Sequence, residues 1–177
     1  VLFSYGCTNS SCLEPVLETT SFQLASVSKF VTACLVLELV QQGLFDLNQS
    51  ITGDILKIWP ESSAIFHNCD QITWAHLLSH RAGFVDRGGL LGVDTDRASL
   101  VEPSAWRSEP LRFHSINQIG HYHYSACGFW LIQCLLSDQL GLDFPQLLEQ
   151  YLFAPLQMTH SFADQSAAVH HQLASGH

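Results

Sequence analysis

The chain has 177 residues, enough for one hydrophobic core, and 47% of them are hydrophobic while only 13% are charged. Its formal net charge is −9 with neutral histidines, and its few basic residues form no cluster, which argues against nucleic acids and anionic membranes as partners. No apolar run approaches the roughly 20 residues that cross a bilayer, because Glu38 interrupts the longest run.

The first predicted element is a strand over residues 1–6, placed like the second strand of a hairpin whose first strand is lacking. The chain begins at Val1 and not at a methionine. A polypeptide cut from a larger protein would also be this apolar. We therefore expect the chain to be a fragment.

The second predicted element is a very apolar helix over residues 26–42, which opens with Ser26-Val-Ser-Lys29 and stops at Gly43. An S-x-x-K spacing puts the amine and the hydroxyl on one helix face. A serine attacks a carbonyl only if a base takes its proton, and a neutral lysine is such a base. The alternative is that Ser26 only caps the helix while Lys29 extends into solvent. Because residues 30–40 are apolar almost all round, we expect them to be buried.

The third predicted element is a short helix that Thr73 caps and that runs through Ser79, followed by a turn at Arg81-Ala-Gly83. His76 and His80 are four residues apart, the spacing of two zinc ligands on one helix face. A leucine, however, stands where the glutamate of an H-E-x-x-H site would be. The remaining histidines offer no clear third ligand: His121, His123, His170 and His171. Zinc binding stays open as a rival hypothesis.

A long loop with short helical pieces is predicted over residues 84–123, and such loops near a site usually shape substrate access. Ser125 is expected to cap a second apolar helix that runs to about Leu140 and stops at Gly141. Tyr124 would then stand just before a helix N-terminus. A last helix is predicted over residues 144–153.

The cysteines do not decide between an oxidising and a reducing cellular compartment. Cys7 and Cys12 could close a small loop in an oxidising environment. By contrast, Cys34, Cys127 and Cys134 fall within apolar helix patterns and are predicted to be buried free thiols.

Four segments, in this order, resemble the serine β-lactamase and penicillin-binding-protein superfamily, and most of all its class C β-lactamase and family VIII esterase branch. The run Phe22 to Leu47 resembles the nucleophile helix. Ile72-Thr-Trp-Ala-His76-Leu-Leu-Ser-His80 is similar to the H-L-L-T-H-T-S-G segment, and Tyr124-Ser-Ala126 to the Y-S-N or Y-A-N motif. Pro155-Leu-Gln-Met158-Thr-His-Ser161-Phe resembles P-L-G-M-x-x-T-x-F.

The resemblance implies a fold class that is mostly α: the helical domain plus one flanking strand of an α/β β-lactamase/transpeptidase-like fold, truncated at both ends. Residues 1–177 would then be a single partial domain. Residues 1–6 would be a strand remnant of the sheet, and residues 22–177 a mainly helical subdomain with the long loop 84–123.

The resemblance also implies a reaction. Ser26 would be the acylated nucleophile, Lys29 its proton partner and Tyr124 the second acid/base group, which passes a proton to the leaving group and helps to activate the deacylating water. The alternative for Tyr124 is a core aromatic whose hydroxyl bonds the backbone. The substrate would be a small-molecule ester or amide, and no metal or organic cofactor is implied.

Two departures from the family pattern bear on activity. Ala126 replaces the asparagine that would hold the acylamide of a β-lactam, which favours an esterase-like enzyme. No K-T-G or H-x-G strand follows Tyr124, and this strand would supply the second oxyanion donor. Losing one such donor costs about 10²–10³ in turnover, so this chain alone is expected to be weakly active or inactive.

A non-catalytic binding or interaction protein with the same fold is the other reading that the residues allow. Ala126 and the missing strand favour it, while the retention of Ser26, Lys29 and Tyr124 together counts against it. The resemblance makes a periplasmic or secreted protein plausible. The localisation and the oligomeric state stay open.

Overall fold

The computed structural model describes residues 3–11, 14–66, 71–85, 111–163 and 173–174. Regular structure in these ranges is helical: α1 (Ser28–Gln41), α2 (Thr52–Ile58), α3 (Ser63–Phe66), α4 (Trp74–Leu78), α5 (Ala126–Leu140) and α6 (Phe144–Leu148). Single 3-10 turns lie at Ala25–Val27, Pro60–Ser62 and Ile116–Gln118. Strand pairing in the same ranges is limited to isolated bridges. The prediction of a mostly α chain is confirmed.

The chain divides into two compact units. Val1–Leu35 together with Pro145–His177 form the first, called here the terminal unit. Val36–Phe144 form the second, called the central unit.

In the terminal unit, residues near the predicted first strand pair by one antiparallel bridge between Cys7 and Pro15. The Thr8 N–H donates to the Glu14 carbonyl at 2.9 Å, and the Val16 N–H donates to the Gly6 carbonyl at 3.0 Å. Residues 3–5 carry no strand assignment. Of the predicted strand over 1–6, residues 1 and 2 lie outside the described ranges, and residues 3–6 show only the hydrogen bond to the Gly6 carbonyl in the part of the chain that the structure describes.

An open groove of about 330 Å³ in the terminal unit is lined by residues 3–5, 16–18, 20 and 22. Phe3 and Tyr5 are almost fully exposed beside it, and Phe22 is more than half exposed. Ser26 and Lys29 are not among the lining residues. The groove is therefore a separate feature of this unit's surface and does not contain the S-x-x-K pair.

Helix α1 ends where the sequence predicts. Gly43 has φ 75°, in the left-handed region that glycine reaches most easily, and its N–H donates to the Val40 carbonyl at 2.9 Å. The Leu44 N–H donates to the Leu39 carbonyl at 3.0 Å. These two bonds are the Schellman arrangement that satisfies the last carbonyls of a helix.

The burial expected all round α1 is wrong in part. Leu35, Val36 and Leu39 are fully buried, yet Phe30 is 71% exposed and Leu37 is 50% exposed. A continuous apolar sequence does not reveal which stripe of a helix meets a neighbour, because every stripe has the same composition. The exposed positions follow from packing and not from the hydrophobic pattern.

In the central unit, α2 and α4 both pack against α5. The largest fully buried side chains of these helices and their flanks include Ile55, Trp59, Trp74, Leu77, Leu131, Ile132 and Leu135. Trp59 meets Trp130 edge to face, with 5.1 Å between the ring centroids. Helices α2 and α3 were not predicted from the sequence. Both are short, and the N-cap residue of α2, Ile51, makes no side-chain capping hydrogen bond.

The predicted caps of α4 and α5 are confirmed. The Thr73 hydroxyl accepts the His76 N–H, and His76 Nδ1 in turn accepts the Thr73 N–H at 3.3 Å, which is a reciprocal capping box. Ser125 Oγ accepts the Gly128 N–H at 3.4 Å, and Gly141 ends α5 with φ 66°. Residues 86–110 of the predicted loop lie outside the described ranges.

The predicted last helix, residues 144–153, is two elements. Helix α6 ends at Leu148 and a π-helical turn follows over Glu149–Phe153. In this turn the Ala154 N–H donates to the Glu149 carbonyl at 2.9 Å, five residues back. Pro155 has no N–H to donate to the carbonyl four residues before it, so the α-helical ladder cannot continue here.

The cysteines agree with the sequence where they are described. Cys34, Cys127 and Cys134 are free thiols, the last two of them buried and Cys34 half-buried. Cys7 is disulfide-bonded. Cys12 lies outside the described residues. Among the helices that the structure describes, none combines the length and the apolar character needed to cross a membrane.

Candidate active site

Ser26 lies in the 3-10 turn Ala25–Val27 that leads into α1, and its side chain is exposed. The predicted helix over 26–42 thus begins two residues later, at Ser28. Ala25 has φ 45°, a left-handed backbone that costs a residue with a Cβ about 1–2 kcal/mol. Strained residues of this kind concentrate at functional sites. The turn presents the Ser26 hydroxyl at the surface, one residue after a strained position.

Lys29 is the second residue of α1 and is half-buried. Its Nζ donates a hydrogen bond of 3.3 Å to Ser26 Oγ. The structure therefore brings the amine and the hydroxyl of the S-x-x-K motif into contact.

The other lysine of the chain, Lys57, has a different environment. Its ammonium donates to Asp54 Oδ1 at 2.7 Å on the exposed side of α2. This hydrogen bond and the charge of Asp54 raise the pKa of Lys57, with a smaller contribution from the charge of Asp138. Lys57 is thus an ordinary surface ion pair and serves as the reference for Lys29.

Tyr124 belongs to the central unit, whereas Ser26 and Lys29 belong to the terminal unit. It stands directly before Ser125, the N-cap of α5, and is 43% exposed. Its ring lies against the His80 imidazole, with 4.6 Å between the centroids and 35° between the planes.

His80 holds the backbone on both sides of Tyr124. The His123 N–H donates to the His80 carbonyl at 2.8 Å, and the Ser125 N–H donates to His80 Nδ1 at 3.1 Å. Sequence reasoning considered His80 as a possible zinc ligand and as part of a resembling segment, and it missed this link. The two partners are 45 residues apart along the chain, and no local pattern connects them.

The zinc hypothesis meets a chemical obstacle at its best pair. Nδ1 of His76 accepts the Thr73 N–H and Nδ1 of His80 accepts the Ser125 N–H, so in each neutral ring the other nitrogen, Nε2, carries the proton and has no lone pair for a metal. Within the described ranges no group of three or more metal-ligating side chains comes together. His170 and His171 lie outside those ranges.

Comparison with known proteins gives a consistent result. The family model described as Beta-lactamase matches residues 1–177. A β-lactamase of Escherichia coli K12 is 28% identical over 165 residues, which are 90% of this chain and 39% of that protein. A β-lactamase of Providencia stuartii is 24% identical over 91% of this chain and 38% of its own length.

The fold is also similar to a solved structure, FmtA from Staphylococcus aureus. The TM-score is 0.68 at 18% identity, over 97% of this chain and 45% of that one. The chain spans about two fifths of the length of the two curated relatives named above. The helical elements described here are therefore part of a β-lactamase/transpeptidase-like fold. Since the family model matches along the whole chain, this protein belongs to the β-lactamase family.

Proposed function

We propose that this chain carries the nucleophile and the proton-transfer residues of a serine hydrolase: Ser26 as nucleophile, Lys29 as proton acceptor and Tyr124 as the second acid/base group. The observation that carries the proposal is the 3.3 Å hydrogen bond between Lys29 Nζ and Ser26 Oγ. A base within hydrogen-bond reach of the hydroxyl is the arrangement that activates a serine. Membership of the β-lactamase family supports the same reaction class.

In the proposed reaction, the amine form of Lys29 accepts the Ser26 proton while Oγ bonds to the acyl carbon of the substrate. The hydrogen bond between the two groups then runs from Oγ to Nζ. The bond to the leaving alcohol or amine breaks, and the leaving group takes a proton that Tyr124 or Lys29 donates. Water next attacks the acyl-serine, which releases a carboxylic acid and returns the proton to Ser26. These steps need no metal or organic cofactor.

The proposed substrate is a small-molecule ester or amide, with esters ahead of β-lactams. Ala126 is the first residue of α5 and stands where the resemblance places an asparagine amide. A methyl group cannot hydrogen-bond the acylamide of a β-lactam. Support for amides comes from the solved D-amino acid amidase of Ochrobactrum anthropi, which has a TM-score of 0.59 at 22% identity over 87% of this chain and 41% of that one.

The 177-residue chain on its own is proposed to be weakly active or inactive. The backbone N–H of Ser26 would be one oxyanion donor, and the resemblance places the other on a K-T-G or H-x-G strand that does not follow Tyr124 in this sequence. Removing one donor lowers turnover by about 10²–10³. The tests therefore use the full-length natural protein.

The first experiment treats the folded full-length protein with a fluorophosphonate probe and, separately, with a penicillin-type probe, and locates the adduct by peptide mass spectrometry. We expect modification of Ser26, none in Ser26→Ala, and a rate about 10²-fold or more lower in Lys29→Ala. The matched controls are Ser28→Ala and Lys57→Ala. Each removes the same side-chain type outside the pair and should react like the wild type.

Failure of both probes to modify Ser26 in the folded wild type would overturn the hydrolase proposal. That result would instead favour a non-catalytic binding or interaction protein with this fold. Equal loss of rate in Lys29→Ala and Lys57→Ala would remove Lys29 from the mechanism, because a general charge effect would then account for both.

A further inference from the structure

Tyr124 is fixed on both sides by one residue. The N–H of His123, before it, donates to the His80 carbonyl at 2.8 Å. The N–H of Ser125, after it, donates to the His80 side chain at Nδ1, at 3.1 Å. The position of the Tyr124 α-carbon therefore depends on where the backbone and the imidazole of His80 lie.

The same imidazole also contacts the tyrosine ring. The His80 ring contacts both Tyr124, at a centroid distance of 4.6 Å, and Phe129, at 5.1 Å. Phe129 is a buried residue of α5, so it supports the imidazole from the core side. His80 thereby restrains the direction of the Tyr124 ring as well as its backbone.

Two properties suit a histidine to this position. Its Nδ1 accepts a backbone N–H, so in the neutral ring the proton sits on Nε2 and the acceptor is always on the side of Ser125. Its backbone has φ 58°, a left-handed conformation in which histidine, asparagine and aspartate are enriched among residues with a Cβ. The left-handed turn lets the carbonyl and the side chain of one residue both reach the segment 123–125.

We propose that His80 is a positioning residue for Tyr124 in the acyl-transfer reaction. It acts by holding the phenol in the orientation from which a proton passes to the leaving group. The inference rests on the proposed function, in which Tyr124 is the second acid/base group. His80 itself does not touch the reacting atoms and is not a catalytic residue.

The experiment measures kcat and KM for ester hydrolysis by the full-length protein with three substitutions of His80. His80→Leu removes the acceptor and the aromatic ring, and we expect kcat to fall about 10²-fold with KM nearly unchanged, because misplacing a reacting group by about 1 Å costs this much. His80→Asn tolerates the left-handed backbone and puts an amide oxygen near the place of Nδ1, so it should recover most of kcat. His80→Phe keeps only the ring and should not recover it. His114→Leu, an exposed histidine that contacts His123, is the control and should retain wild-type kcat.

A double-mutant cycle separates positioning from general structural support. If His80 acts through the phenol, His80→Leu should lower kcat much less in a Tyr124→Phe background than in the wild type, because the group it positions is already gone. A loss of the same size in both backgrounds would overturn the proposal, and so would failure of His80→Asn to rescue while the variant remains folded by circular dichroism.

The two proposals fail in distinguishable ways. The proposed function fails if Ser26 of the wild type takes no probe, whatever the His80 variants do. The positioning role fails alone if Ser26 is acylated and Tyr124→Phe is slow while His80→Leu is as fast as the wild type.

Discussion

Lys29 and Ser26 are joined by a hydrogen bond although they lie in different elements, Lys29 in the first turn of α1 and Ser26 in the 3-10 turn before it. The contact therefore spans the junction between the 3-10 turn and α1, where the two residues are three positions apart.

The first prediction asks whether Lys29 acts as a base or only as a positive charge. Lys29→Arg keeps a long cationic side chain, but a guanidinium does not give up its proton in proteins. We expect acylation of Ser26 to slow by about 10²–10⁴-fold, the usual worth of a general base. Stopped-flow labelling measures this rate. An arginine variant close to the wild type would mean that charge alone is enough, and Lys57→Arg controls for the change of side chain.

The second prediction concerns the phenol of Tyr124. In Tyr124→Phe we expect alkyl esters, whose leaving groups need a proton, to lose about 10²–10⁴ in kcat. Activated aryl esters should lose much less, because their leaving groups depart as anions. Tyr122→Phe is the matched control, since Tyr122 also packs on the His80 ring, at 5.8 Å, without standing at the α5 cap. The same loss for both ester classes would contradict proton transfer to the leaving group.

The third prediction is a gain of reactivity. Ala126→Asn introduces the side-chain amide of the Y-S-N motif at the start of α5, where it can hydrogen-bond an acylamide. A hydrogen bond of about 1 kcal/mol gives roughly a fivefold increase in the rate of Ser26 acylation by a penicillin-type probe. The fluorophosphonate rate, which involves no acylamide, should not change. If both rates rise together, the asparagine acts on the nucleophile and not on the substrate.

The fourth prediction concerns stability at the turn that follows α4. Gly83 has φ 81°, and a Cβ built on it would lie 2.9 Å from Cζ of Phe113. Gly83→Ala should therefore lower the free energy of unfolding by about 3 kcal/mol, from backbone strain and the clash together. Urea denaturation followed by circular dichroism measures the change.

Two other glycines separate these contributions. Gly120 has φ 90° with nothing within 4 Å of a built Cβ, so Gly120→Ala isolates the strain and should cost about 1 kcal/mol. Gly53 lies inside α2 with open space around it, and Gly53→Ala should add about 0.5–1 kcal/mol of stability. If Gly83→Ala costs no more than Gly120→Ala, the Phe113 ring yields to the added methyl group.

Local signals in the sequence predicted several helix ends well. Thr73 and Ser125 as caps, and Gly43 and Gly141 as stops, all act through contacts within a few residues. The short helices α2 and α3 were missed because their stability comes from burial against the rest of the central unit. The sequence of so short a segment does not show how its residues will be buried. The division of the last predicted helix into α6 and a π-helical turn was missed although its signal is local. The prediction ignored that Pro155 has no N–H for the carbonyl four residues before it.

The candidate site divides in the same way. The contact between Ser26 and Lys29 follows from their spacing in the sequence. The 3-10 turn that holds Ser26, and the strained backbone of Ala25 in that turn, have no sequence signal. The role of His80 beside Tyr124 depends on a contact between segments that are distant in the sequence. A single sequence carries no signal for such a contact, whereas the backbone hydrogen bonds at His123 and Ser125 define it directly.

The aromatic side chains on the terminal unit determine how the isolated 177-residue polypeptide will behave in the test tube. Phe3 and Tyr5 offer 92% and 99% of their surfaces to water. Uncovered rings of this kind attract hydrophobic dyes and one another. We therefore expect the purified polypeptide to brighten anilinonaphthalene sulfonate and to form larger species on gel filtration as its concentration rises. The double substitution Phe3→Ser and Tyr5→Ser should reverse both effects. An unchanged elution profile would mean that other residues cause the self-association.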